Sequence, residues 1–362
     1  MPLDADALLA GPRGRRLCLE LARRSAERAE RPSQQESLTV LWWAARAYDP
    51  YPGVVLTMRS PDEGSPSEPP TPSASDAAAA LDTLAFVEPT AAALRDALEM
   101  SVSTAMYWQE PDGVDGLCAT PELTEPLRRI AELISAAPAA GWWSTGLAED
   151  DQWTIPWEGA GRAPTDLDAQ LHAWRDETLA DDARAAAERP DDPAAPWGGY
   201  WWSIPPHGMV RTTRSLGADG PARLWFEEDS LGGDEAVATP VDAYPARVIE
   251  IDGAEDWAEL CRRHPLDVTA SRRQDWYRVT GRDGPWVIPD WVAVATVADA
   301  VHLTVAGYLA AATRLIELGD GRASVLAGWN PDETFWFRGV SPRPADQQRW
   351  RRDDGVWRRE PD

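Results

Sequence analysis

WVIPDWVAVATVADAVHLTVAGYLAAATRLIELGDGRASVLAGWNPDETFWFR, residues 286–338, contains the longest apolar runs of this 362-residue chain. DWVAVATVAD reads as a short helix, AVHLTVAGYLAAA as a buried strand or helix, and SVLAGW and TFWFRG as strands. One of only four histidines, His302, sits inside an apolar run, and Trp329 and Trp336 flank the acidic pair Asp332 and Glu333. The pattern is that of a core bordering a polar loop.

Strand patterns continue on the N-terminal side. MVRTTRSL (209–216), ARLWFEED (222–229) and ARVIEI (246–251) alternate as half-buried strands do, with Gly217 to Gly220 as a hairpin turn. AEDWAELCRRH (254–264) is a helix with acids in its first turn and bases in its last. Before Pro196 helices dominate. One follows Pro89 and runs to about Trp108; another starts at Thr120 with Leu127, Ile130, Leu133 and Ile134 on one face; a third runs from Thr165 to just before Pro190. LTVLWWAARAYD (38–49) is apolar enough to be buried, and YPGVVLTMR (51–59) reads as a strand.

Helix and strand mix without strict alternation, which gives an α+β fold: a helical N-terminal region followed by a mixed α+β C-terminal domain. The expected divisions are a helix-and-strand segment at 1–59, a Pro/Ser-rich linker or loop at 60–76, a mainly helical region at 77–195, an α+β domain at 196–340 and an Arg/Trp-rich tail at 341–362. GWWST (141–145) and YWWSI (200–204) share Trp-Trp-Ser. A duplicated strand pair and coincidence in a tryptophan-rich chain both account for it.

Composition excludes several chemistries. Sixty acids face 35 bases, for a formal charge of -25, and every base is arginine. Without lysine there is no Schiff base, so no covalent pyridoxal phosphate, and no phosphate-binding loop ending in Gly-Lys-Ser/Thr. The negative charge disfavours duplex nucleic acid as a partner. No apolar run reaches the ~18 residues of a membrane span, and the acidic N-terminus is unlike a secretion signal, so a cytoplasmic protein is expected. Cys18, Cys118 and Cys261 have neither a disulfide nor a zinc spacing, and no metal site is expected.

Four groups could carry chemistry. His302 is either a proton-transfer group near neutral pH or a core histidine bonded internally. Asp332 and Glu333, partly desolvated by indole, could act as acid or base or hold a ribose hydroxyl, while Asn-Pro-Asp is also ordinary turn chemistry. Arg211 and Arg214 could clamp a phosphate or carboxylate, with Trp329 and Trp336 as ring faces for the same ligand. The acidic run EEDSLGGDE (227–235) lacks a calcium-loop spacing and reads as a solvated loop.

The segments DWYRVTGRDGPWVIPDWVAVATVADAVHLTVAGYL and SVLAGWNPDETFWF, with GPRGRRLC near the N-terminus, resemble a family of proteins from high-GC bacteria that lends no activity. More loosely, the order of a basic strand, a hydroxyl-bearing strand and a late acid beside aromatics resembles ADP-ribosyltransferases. That resemblance implies NAD as the cofactor, Arg211 or Arg214 holding it and Glu333 orienting the ribose, although no Ser-Thr-Ser follows and Pro331 stands two before Glu333, where an acid or Gln is expected. Two functions are therefore expected. One is a nucleotide-using enzyme with His302 and Glu333 catalytic, which requires Arg211, His302 and Glu333 to converge. The other is a non-catalytic acidic interaction or immunity-type protein that binds a basic protein partner.

Overall fold

The computed structural model describes residues 3–29, 31–53, 70–86, 88–156, 166–230 and 233–361. The architecture is α+β, with helices in the N-terminal half and a mixed sheet in the C-terminal region. Most of the expected linker at 60–76, and the strand expected at 51–59 from Val54 onward, lie outside the described residues. Ala74–Thr83 is a helix, begun by a reciprocal capping box between Ser73 and Asp76.

The helix Pro12–Ala29 is the hub of the N-terminal half. Pro12 suits its first turn, and Leu17, Leu19 and Leu21 are all buried because neighbouring helices enclose it on several sides. Such enclosure also buries charge. Arg13 is held by Asp115, and Arg16 pairs with Glu20 at 2.8 Å and with Asp112 at 2.9 Å. Asp112 also caps the helix Gly113–Cys118 by accepting from the Asp115 amide, so one ion-paired knot joins the two helices. The helix at 124–136 buries Leu127, Ile130 and Ile134, each worth about 1.5–3 kcal/mol. Leu133, expected on the same face, is exposed.

The strands are β1 (Gln152–Thr154), β2 (Arg211–Arg214), β3 (Glu235–Ala243), β4 (Val248–Ile251), β5 (Pro265–Asp267), β6 (Val287–Pro289), β7 (Ala300–Leu303), β8 (Ile316–Gly319), β9 (Arg322–Ser324), β10 (Glu333–Trp336), β11 (Val340–Pro342), β12 (Gln348–Asp353) and β13 (Val356–Arg359). Nine of them form one sheet in the order β13-β12-β3-β1-β2-β10-β7-β4, with β11 also paired to β3. Among the described strands of this sheet only β4 and β7 pair in parallel, and the helical segment between them makes the crossover that a parallel pair needs. One apolar core runs from Leu8 in the N-terminal helices to Trp357 in β13.

Several expectations are corrected. ARLWFEED is not a strand but two 3₁₀ turns, Ala222–Leu224 and Glu228–Ser230. Its alternation is interrupted because Trp225 Nε1 donates to the Asp219 carbonyl and Asp229 adopts φ 65°. EEDSLGGDE is not simply solvated: Glu228 is buried under the hydroxyls of Tyr107 and Tyr308, and β3 begins at Glu235. GWWS is a 3₁₀ helix and YWWSI contains no strand, so the two are not a duplicated strand pair. AVHLTVAGYLAAA is strand and then helix. Thr304 makes the change, its hydroxyl accepting from the Gly307 amide at 2.9 Å. SVLAGW is strand only through Ser324.

The Arg/Trp-rich tail is an integral part of the sheet, with Trp350 and Trp357 both buried. Trp350 packs over Gly220 (φ 77°), where an added Cβ would lie 2.7 Å from Trp350 Cη2 and 2.8 Å from Leu224 Cδ1. Gly217 (φ 67°) faces open space. Gly217→Ala is therefore expected to cost only the positive-φ backbone penalty, about 1–2 kcal/mol, and Gly220→Ala to cost more, because its φ 77°, ψ -169° is open almost to glycine alone and because overpacking adds about 1–3 kcal/mol. Urea denaturation of both variants measures this, and equal losses would show that Trp350 is not docked there.

Candidate functional site

Pairing in the sheet decides what each candidate side chain can meet. Thr334 on β10 lies between His302 on β7 and Thr212 on β2, and His302 in turn lies beside Glu250 on β4. Side chains alternate along a strand, so Glu250, His302, Thr334, Thr212 and Arg214 share one face. Arg211, Glu333 and Phe335 share the other. Arg211, His302 and Glu333 thus do not converge: the sheet itself separates the histidine from the Arg211–Glu333 pair.

On the first face the charges form a chain. His302 Nδ1 is 2.6 Å from Glu250 Oε2, and its Nε2 faces Asp332 Oδ1 at 3.4 Å, close enough for charge attraction though not aligned as a hydrogen bond. Arg214 grips the same Asp332 twice, its Nε at 2.6 Å from Oδ1 and its backbone amide at 2.9 Å from Oδ2. Asp332 reaches both strands from the Pro331–Asp332 turn, where it adopts φ 58°, a conformation that Asp tolerates better than most residues. Glu250 Oε1 accepts from the Leu147 amide at 3.0 Å. Burial alone would lower the His302 pKa, but Asp332 and Glu250 more than offset this and hold it at about 9. Burial alone would raise Glu250, and His302 more than offsets that, holding it below its ordinary value. His302 is an enclosed imidazolium at neutral pH, with no exposed surface, and is poorly suited to act as a base.

The second face holds a compact cluster. Glu333 Oε1 takes a short hydrogen bond from Arg223 and lies 3.7 Å from Arg211 Nη1, and Arg223 also reaches Glu227 at 3.1 Å. Burial, then the like charge of Arg223, lowers Arg211 to about 10. Glu333 is wholly buried, so no ribose reaches it without opening the sheet. Trp329 and Trp336, expected as ligand faces, are core indoles. Trp329 Nε1 donates to the Glu333 carbonyl at 2.9 Å and its ring packs edge-on against Trp257 and Phe335. Trp336 Nε1 donates to Thr212 Oγ1 at 2.7 Å.

Sequence reasoning missed an open cleft of about 840 Å³ lined by Trp108, Trp197, Trp201, Asp229, Asp275 and Arg278. Trp201 stacks on Tyr107, with ring centroids 5.3 Å apart, and leans on Trp108 at 4.9 Å. Arg278 ties the walls together, donating to the carbonyls of Trp108 (3.1 Å), Ala195 (3.2 Å) and Trp197 (2.8 Å) and to Asp275 Oδ1 (2.8 Å). Asp275 Oδ2 accepts from the Gly199 amide at 3.2 Å, and burial raises this carboxyl to about 6. Asp229 differs: among the described residues nothing donates to its buried Oδ1, and burial, then Glu227, raises it to about 7. The density of tryptophan beside acids was visible in the sequence, but no local spacing joins residues 108, 201, 229 and 275.

No group of three or more His, Cys, Asp or Glu among the described residues is arranged to hold a metal ion, and no helix among them is long and apolar enough to cross a membrane. Comparison with protein-family models, curated proteins and solved structures finds no match.

His302 supplies a test. Its folded pKa lies above the ordinary 6.5, so its stabilisation is complete below pH 6.5 and is lost as the pH rises through 9. His302→Gln is expected to cost about 3 kcal/mol at pH 6.5 and much less at pH 10, read from urea unfolding across that range. A loss independent of pH would contradict the imidazolium.

Proposed function

We propose that this chain is a non-catalytic binding protein that takes a basic protein partner, seating a cationic side chain of that partner in the cleft of Trp108, Trp197 and Trp201 against Asp229. The observation that carries this reading is the Asp229 carboxylate: among the described residues nothing donates to its Oδ1, and it lines the same cleft as three indoles. A guanidinium or ammonium is attracted both to the faces of indoles and to a partly desolvated carboxylate. Asp275 is already matched by Arg278, so Asp229 is the group left to meet a new cation. A net charge of -25 would steer a basic partner from a distance. The internal pairing of His302, Asp332 and Glu333 supports a non-catalytic role. The same reading places the chain in the cytoplasm, where its three buried, unpaired cysteines remain thiols.

Titration of the full chain with an arginine-rich peptide, followed by tryptophan fluorescence, tests the reading. Binding is expected to weaken with salt and to strengthen as the pH rises through 7, where Asp229 ionises. Asp229→Asn is expected to weaken binding roughly tenfold, about 1.4 kcal/mol. At pH 8 the same variant is expected to unfold at a higher temperature than the parent. A carboxyl whose folded pKa is raised loses stability between its ordinary value and about 7, and the amide does not. Absence of peptide binding at low salt, or full binding by Asp229→Asn, would overturn the proposal.

A further inference from the structure

A second cavity, of about 320 Å³, lies where the start of the helix Pro12–Ala29 meets the segment that follows the helix Val305–Ala311; Pro12, Arg15, Thr104, Thr280, Thr313 and Arg314 are among its lining residues. Two arginines adjoin there. Arg15 Nη1 donates to the Leu9 carbonyl at 2.8 Å and approaches the Ala10 carbonyl at 3.5 Å, while Arg314 Nη1 donates to Ala10 at 3.1 Å and Ala310 at 3.2 Å. Among the described residues, neither arginine forms an ion pair with a carboxylate, and Arg15 Nε is buried without a partner. Three acids also border the cavity, but each is engaged. Asp115 is held by Arg13, Asp112 by Arg16, and Glu110 accepts from the Tyr51 hydroxyl at 3.0 Å. Burial lowers the pKa of both Arg15 and Arg314; at Arg15 Cys118 and Asp115 partly oppose it, and the like charges of Arg314 and Arg13 add to it.

Thr313 is the second, independent feature. It is 8% exposed, its Oγ1 has no hydrogen-bond partner, and its φ is +59°. A β-branched residue is strained in that region and glycine is not, so a hydroxyl retained in a strained, buried position on the wall of the cavity that Arg15 and Arg314 also line calls for a partner.

We infer that this cavity binds a small ligand through a carboxylate or phosphate group clamped between Arg15 and Arg314, with the Thr313 hydroxyl, turned inward, as a third donor. Among the described residues both arginines bond the protein through Nη1, which leaves Nη2 of each, and at Arg314 the Nε–Nη2 edge, to meet an oxyanion. An anion between them replaces like-charge repulsion with attraction, and the start of an 18-residue helix adds the positive end of its dipole. The site adjoins the Asp229 cleft at Met106 but shares none of the charged groups invoked there, and it does not depend on the basic-partner reading.

The test uses the full chain and two probes, sodium phosphate and sodium succinate, each compared with sodium chloride at equal ionic strength. At 10 mM, at least one probe is expected to raise the unfolding midpoint by on the order of 1–2 °C beyond chloride; phosphate alone or succinate alone would name the source of the oxyanion. By calorimetry, Arg314→Gln and Arg15→Gln are each expected to weaken that binding about tenfold or more. Thr313→Gly, which relieves the backbone, is expected to keep or raise the anion-free midpoint while weakening binding severalfold, a combination that a purely structural threonine would not give. Asp229→Asn is expected to leave the response unchanged. No response to either probe beyond chloride, or undiminished binding by the arginine variants, would overturn the inference.

Discussion

Asp332 is where the C-terminal sheet is fastened. From a turn in the left-handed region it meets Arg214 on β2 and His302 on β7, the two neighbours of β10, the strand that starts at the next residue. Without it, a guanidinium and an imidazolium would be left facing each other's strands with no anion between them. An unpaired buried charge costs several kcal/mol, whereas a paired one roughly balances its own desolvation. The position of β10 between β2 and β7 therefore depends on this carboxylate as well as on backbone hydrogen bonds.

The same logic recurs because the chain has only one kind of cationic side chain besides histidine. Arginine does not shed its proton when buried, so each buried guanidinium must find an anion or several carbonyls. Arg13 finds Asp115, Arg223 finds Glu333, and Arg278 finds Asp275 and three carbonyls. Groups that form such pairs behave as structure. The Asp229 carboxylate, with nothing among the described residues donating to its Oδ1, and Arg15 and Arg314, which among them meet carbonyls but no carboxylate, stand at clefts and are the places where a ligand would complete the pattern.

Local pattern made much of the fold legible. The alternation of RTTR and VIEI and the dipole-matched helix at 254–263 are local signals, and each marks a described element, whereas the Ser73 cap starts a helix inside the stretch read as a linker. Residues 222–229 were misread because their apolar spacing imitates a strand while long-range bonds from Arg223 to Glu333 and from Tyr107 to Glu228 fold them into turns. The candidate site was legible residue by residue but not in its geometry. Glu333 and His302 lie on adjacent strands one register step apart, and that odd offset puts them on opposite faces. Glu250, the partner of His302, belongs to a strand 52 residues earlier, a separation that no local reading spans.

The charged residues of the sheet are locked in mutual pairs, with His302 an imidazolium between two carboxylates. Nitrogen-15 NMR of the histidine side chains at pH 7.5 tests it most directly. His302 is expected to show two protonated ring nitrogens, with ring N–H protons that exchange slowly with water, under conditions where an ordinary histidine is neutral. A neutral His302 ring at that pH, with one bare nitrogen, would contradict it.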